Sequence, residues 1–175
     1  TSLEASSGIP QIEVAVGDPD PGAPEYKNIA LVFRHLHDLS DKDIRLMMDF
    51  GISNGVQIYL QPGGVDSVSK IFPAGEKSRL HYSLSDYSLT IGFHPMDFTQ
   101  VNREMNIMIV DRVIQMLDLK KSDSVLDLFC GLGNFTLPIA KKAKSVIGVE
   151  ASQEMIGRAK ENAFYNNISN VKFYV

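Results

Sequence analysis

Two carboxylates and two glycines in the last third of the chain carry its plainest chemistry. Asp127 sits near the end of the apolar run Val125–Phe129, Gly131 and Gly133 follow directly, and Glu150 closes a second apolar run, Val146–Val149. Apolar strand, glycine turn, helix, apolar strand, acid is the order of a βαβ unit that holds an adenosine-containing ligand at the carboxyl ends of parallel strands. Gly131 and Gly133 permit positive φ and close approach of backbone to a ligand. Glu150, at a strand tip, can accept both hydroxyls of a ribose. Asp127 suits a ligand carrying positive charge, such as the ammonium of an amino acid, and would repel a pyrophosphate. That set favours S-adenosylmethionine over a dinucleotide. A dinucleotide fingerprint would want a third glycine where Thr136 stands, and no Gly-Lys-Ser/Thr follows, which excludes a P-loop. The plain alternative is a glycine turn between strand-ending acids that binds nothing.

The elements that must position these groups can be read on both sides. A helix is predicted from near Asn134, with Leu137, Ile139 and Ala140 inward and Pro138 tolerable in its first turn. Ser152 caps a further helix, Gln153 to about Tyr165, whose inward face is Met155, Ile156, Ala159 and Ala163, and Asn166-Asn167 ends it. Val171–Val175 is a third strand. Upstream, Pro95 stops a strand, and a helix is predicted over Gln100–Leu117. Its inward face is read as Val101, Met105, Met108, Ile109, Val113, Met116 and Leu117. Strands are predicted at Ile12–Val16, Ile29–Phe33, Val56–Leu60, Leu80–Leu84 and Leu89–Phe93, with a loop over Gly17–Pro24. Ser40 caps a helix whose Ile44, Met47, Met48 and Ile52 face a core, and no element is assigned over 61–79. The fold class is α/β: three parallel strands forming the first half of a Rossmann-like domain, preceded by a small α+β subdomain. The boundary is placed so that residues 1–94 form the subdomain and 95–175 the linking helix and half-domain.

Composition bounds the rest. The chain has 175 residues, 44% hydrophobic and 22% charged, within the range of one or two small globular domains. Its apolar runs are too short to span a bilayer and its first residues are not a signal peptide, so no membrane partner is expected. The single cysteine, Cys130, excludes an internal disulfide and a cysteine-rich metal site and fits a cytoplasmic location. A net charge of −4 is the wrong sign for a free-standing nucleic-acid binder. Arg34, His35, His37 and Arg45 cluster in sequence, but no carboxylate or cysteine completes a metal site there. They read as plain surface, or as a solvated basic patch near RNA phosphate. An apolar strand at a sheet edge invites pairing with another chain, so self-association through Val125–Phe129 is expected.

Phe98-Thr99-Gln100-Val101-Asn102, then Val125-Leu126-Asp127-Leu128-Phe129-Cys130-Gly131-Leu132-Gly133-Asn134-Phe135-Thr136-Leu137-Pro138, then Gly148-Val149-Glu150, closely resemble the S-adenosylmethionine-dependent RNA uracil-C5 methyltransferases, above all their bacterial 23S ribosomal RNA branch. The resemblance is strong over residues 93–175 and weak before them. It implies a class I methyltransferase domain in which Gln100, Phe129, Asn134 and Glu150 contact S-adenosylmethionine, while Asp127, Gly131 and Gly133 match the general methyltransferase loop. It implies methyl transfer to uracil C5 in ribosomal RNA, by a cysteine that adds to C6 and a base that removes the C5 proton. Both would lie beyond Val175, so no catalytic residue is expected in this chain, and Cys130 is read as a small packed loop residue. The RNA-gripping parts, and the cysteines of a 4Fe-4S cluster if the whole protein carries one, would also lie elsewhere. The chain thus reads as an internal fragment, inactive by itself. A tRNA uracil-C5 methyltransferase, a non-catalytic S-adenosylmethionine- or RNA-binding module, and a dinucleotide-binding dehydrogenase are the rival readings.

Overall fold

Alternating apolar residues place six short strands and one helix in the N-terminal half. The computed structural model describes residues 2–19, 28–74 and 79–175, so most of the expected 17–24 loop lies outside the described residues. β1 (Gln11–Val16), β2 (Ile29–Arg34), β3 (Gln57–Gln61) and β4 (Ser69–Phe72) form one sheet in that order. β2 and β3 run parallel, and the other two pairings are antiparallel. α1 (Asp41–Asn54) supplies the crossover between the parallel pair. Ser40 caps it by accepting from Asp43 N at 3.1 Å, and Gly55 at φ 64° ends it in the left-handed conformation. Met47 joins Phe33, Val56, Ile58, Leu60 and Phe72 in the core, with Met48 packed against them. Ile52, predicted to face that core, is exposed. A Cβ on Gly51 would lie 2.7 Å from the Phe72 ring, so the helix sits too close to the sheet for any larger residue there. β4 falls in the 61–79 segment, where polar and glycine content hid a four-residue strand.

β5 (Leu80–Leu84) and β6 (Leu89–Phe93) pair as expected. The chain divides into two units, 1–80 with 94–96 and 81–93 with 97–175. The β5–β6 pair therefore groups, from His81 on, with the glycine-loop half rather than with residues 1–94. The cause is polar. On α4 (Gln153–Tyr165), the Asn162 amide donates to Gly92 O at 3.0 Å and accepts from Gly92 N at 2.8 Å. One turn on, Asn166 does the same to Thr90 at 2.7 and 2.8 Å.

The second unit carries the parallel sheet β7 (Ser124–Leu128), β8 (Ser145–Val149), β9 (Val171–Tyr174), in sequence order, with α3 (Thr136–Lys142) and α4 as its crossovers. Ile156, Ala159 and Ala163 of α4 are buried as expected. α2 (Arg103–Leu117) differs from expectation in two ways. It starts after Asn102, whose side chain caps it by accepting from Met105 N at 2.9 Å, so Gln100 precedes the helix. Its buried residues are Asn106, Val110 and Ile114, whereas Val101, Met105, Met108, Ile109, Met116 and Leu117 are exposed. The buried stripe contains an asparagine, which an apolar count rejects. Among the described residues no helix is long and apolar enough to cross a membrane.

Candidate functional site

Parallel strands deliver their carboxyl ends to one edge of the sheet, and the loop after β7 is built there with three residues in unusual backbone conformations. Phe129, Gly131 and Gly133 have φ of 60°, 53° and 92°. Glycine adopts such angles without penalty, but a phenylalanine held there stores about 1–3 kcal/mol of strain. The Phe129 ring is 85% exposed, so burial does not explain that strain. The loop is held by Cys130 N donating to Val149 O at 3.0 Å and Gly133 N donating to Cys130 O at 2.9 Å.

Glu150 stands at the tip of β8 beside this loop. Its Oε2 accepts from Gly131 N at 3.2 Å and its Oε1 from Ser152 N at 3.1 Å. Each oxygen thus takes one backbone N–H and keeps a lone pair for a further donor, which fits two neighbouring hydroxyls of a ribose. Asp127 Oδ2 accepts from Thr136 Oγ1 at 2.5 Å, tying the end of β7 to the start of α3. Burial pushes the Asp127 carboxyl up from its ordinary value, against the opposing pull of Thr136. A cationic ligand near it would relieve that cost.

Asn134 is bound into the protein. Its Oδ1 accepts from Tyr82 Oη at 2.8 Å and from Asn106 Nδ2 at 3.1 Å, and its Nδ2 donates to Asn106 Oδ1 at 2.9 Å. Gln100 is exposed in the segment ahead of α2. That segment is anchored by Asp97, 3% exposed, which accepts from Arg158 Nε at 2.8 Å and Nη2 at 2.6 Å. Of the residues singled out in the sequence, Asp127, Gly131, Gly133, Asn134 and Glu150 therefore meet in or beside one loop, with Phe129 at its entry. Tyr82, Asn106 and Arg158 carried no sequence signal, because each is recognisable only through a partner distant in the chain.

Cys130 is buried, and its sulfur lies 2.9 Å from where a Cβ on Gly148 would stand. Burial, then Asp127 and Glu150, pushes its thiol up to about 11. It is a packing residue, and one such thiol does not fit an iron–sulfur ligand set. Among the described residues no group of three or more His, Cys, Asp or Glu could hold a metal. His35 is buried and bonds His37 O at 2.8 Å through Nδ1, so it belongs neither to plain surface nor to a solvated basic patch, the two readings the sequence offered.

A family model described as "tRNA (Uracil-5-)-methyltransferase" matches residues 64–175. Over 173 residues, 99% of the chain, the sequence is 47% identical to the "23S rRNA (uracil(1939)-C(5))-methyltransferase RlmD" of Hahella chejuensis, and equally to that of Legionella pneumophila strain Corby. The chain spans 37% of the length of these relatives. The crystal structure of Pyrococcus abyssi tRNA (uracil-54, C5)-methyltransferase in complex with S-adenosyl-L-homocysteine aligns over 93% of this chain and 38% of its own, with TM-score 0.65 and 21% identity. That likeness is one of fold, and it makes the parallel sheet a class I methyltransferase sheet.

Proposed function

This chain belongs to the tRNA (uracil-5-)-methyltransferase family, and from that premise we propose that it supplies the S-adenosylmethionine-binding part of an enzyme that methylates uracil C5 in 23S ribosomal RNA. The observation that carries the cofactor reading is Glu150 at the tip of β8, bonded to the glycine loop with one lone pair free on each oxygen. Glu150 would take the ribose hydroxyls, Asp127 would favour the cationic sulfonium or ammonium, and Gly131 and Gly133 would let the ligand lie against backbone. Asn134 and Gln100 would add polar contacts and Phe129 an apolar one. When bound, S-adenosylmethionine supplies the methyl group.

The relatives' names carry the substrate reading: the 47%-identical proteins are ribosomal RNA enzymes, whereas the 21%-identical structure is a tRNA enzyme. Addition to uracil C6 calls for a thiolate, and Cys130, buried and with its thiol pushed up to about 11, does not serve. The nucleophile, the base and the main RNA-gripping surface are therefore assigned to other parts of the whole protein, in keeping with a net charge of −4 here. A ribosomal RNA substrate supports a cytoplasmic location as part of the same proposal.

The test has two arms. Titrating S-adenosylhomocysteine by calorimetry into the whole protein and its Glu150→Ala variant should give binding that the substitution weakens; no binding to the unaltered protein overturns the reading. Incubating the whole protein with labelled S-adenosylmethionine and either 23S ribosomal RNA or tRNA transcripts should label the former at uracil C5. Label in tRNA alone would transfer the assignment to the tRNA substrate. Label in neither, with the cofactor bound, would favour a non-catalytic binding module.

A further inference from the structure

Asn106 is a buried polar residue at the end of the first turn of α2, in line with the buried Val110 and Ile114. A buried amide costs free energy unless its groups are paired. Asn106 spends its pairing on one residue, Asn134, in a reciprocal amide pair of 3.1 and 2.9 Å. Such a pair is satisfied equally well if both amides rotate together, so it does not by itself fix which way Asn134 points. Tyr82 does. Burial raises the Tyr82 hydroxyl well above its ordinary value, so it stays a phenol with a proton to donate. That proton goes to Asn134 Oδ1 at 2.8 Å, and the ring is held beside Phe93 at a centroid distance of 6.0 Å. With Tyr82 as donor, Asn134 Oδ1 must face it, and Asn106 must then present Nδ2 to the same oxygen.

The hydrogen-bond inventory of Asn134 follows. Its oxygen takes two donors, which fills both lone pairs, and its nitrogen gives one proton to Asn106. Among the described residues its second N–H has no acceptor. We propose that Tyr82 and Asn106 are positioning residues that lock the Asn134 amide in one orientation, leaving a single N–H to donate to the cofactor. Asn134 then acts toward S-adenosylmethionine as a hydrogen-bond donor and never as an acceptor. The inference rests on the cofactor reading above.

The experiment uses an isostere that can be switched. In Asn106→Asp the ionised carboxylate replaces the Nδ2 donor with an oxygen that opposes Asn134 Oδ1, whichever way that amide turns, and so breaks the reciprocal pair that holds it. The protonated acid restores the original pattern, with its carbonyl accepting from Asn134 Nδ2 and its O–H donating to Asn134 Oδ1. S-adenosylhomocysteine is titrated into whole-protein wild type and Asn106→Asp between about pH 8 and pH 5.5. The variant should bind about tenfold more weakly than wild type at the upper end, a loss of the size expected for one misplaced hydrogen bond, and should close that gap at the lower end. Tyr82→Phe, which keeps the ring and removes the orienting proton, should weaken binding about fivefold at every pH. Equal affinities for wild type and Asn106→Asp at both ends would overturn the proposal. So would a deficit that does not narrow as pH falls, since that is the signature of a merely structural residue. Failure of wild type to bind would instead remove the cofactor reading itself.

Discussion

A carboxylate that accepts one backbone N–H on each oxygen cannot be exchanged for its amide without loss. In Glu150→Gln one oxygen becomes an NH2 group facing a backbone donor, either Gly131 N or Ser152 N. The strand tip then loses a loop contact as well as an acceptor, so Glu150→Gln should weaken S-adenosylhomocysteine binding about tenfold or more, measured by calorimetry. Cys130 gives a prediction of opposite character. Its thiol is pushed from the ordinary 9.0 up to about 11, mainly by burial, so the folded chain holds that proton through the interval in which the unfolded chain loses it. Stability should fall as pH rises from about 9 to about 11. At pH 8 the native thiol should react with an alkylating reagent orders of magnitude more slowly than in denaturant. Rapid labelling of Cys130 in the folded protein would contradict its role as a packing residue. The loop residues were legible because strand-ending acids and glycines are local patterns. Asn134's partners were not: Tyr82 lies 52 residues away and Asn106 lies 28, and nothing in either neighbourhood marks the encounter.

Asn162 and Asn166 show how a helix can stand in for a strand. Residues four apart on a helix rise about 6 Å, and residues two apart on a strand rise about 6.6 Å, so two amides one turn apart match the alternate backbone groups of an extended chain. That match lets α4 complete the edge of β6 at Thr90 and Gly92, and a third bond of the Asn162 side chain, from Nδ2 to Leu132 O at 3.1 Å, carries the same brace to the glycine loop. Asn162→Leu preserves volume but strands Gly92 N, Gly92 O and Leu132 O, and should cost about 2–4 kcal/mol. The expected readout is a lower urea midpoint at unchanged slope, with cofactor affinity reduced in parallel because Leu132 lies in the loop. A midpoint within error of wild type would show that water replaces those bonds without cost. Helix caps were legible at this scale, since Ser40 and Ser152 stand where local chemistry wants them. The face of α2 was misread for the reason that makes it functional: a buried Asn106 interrupts the apolar stripe that periodicity seeks.

Among the described residues β7 has a strand partner on one side only: the sheet order is β7, β8, β9, with Leu126 and Leu128 exposed by 59% and 58% on one face. Their apolar character was legible in the sequence, but not that the helices would cover the opposite face, because a strand buried on both sides and one buried on a single side both read as apolar runs. An unpaired edge flanked by exposed leucines is a template for a second strand. A net charge of −4 spread over 175 residues offers little repulsion against it. We therefore expect this chain by itself to self-associate, with β7 of one copy pairing β7 of another. Light scattering across a concentration series should show a mass that rises with concentration. Leu128→Lys places a charge on the exposed face of that edge without touching Val125 or Asp127 on the other face, and should return the chain to monomer with its thermal midpoint little changed. A monomer at every concentration would mean that the edge is protected. Association that survives the lysine would move it to another exposed apolar surface, of which the Met108 and Met116 side of α2 is the first to test.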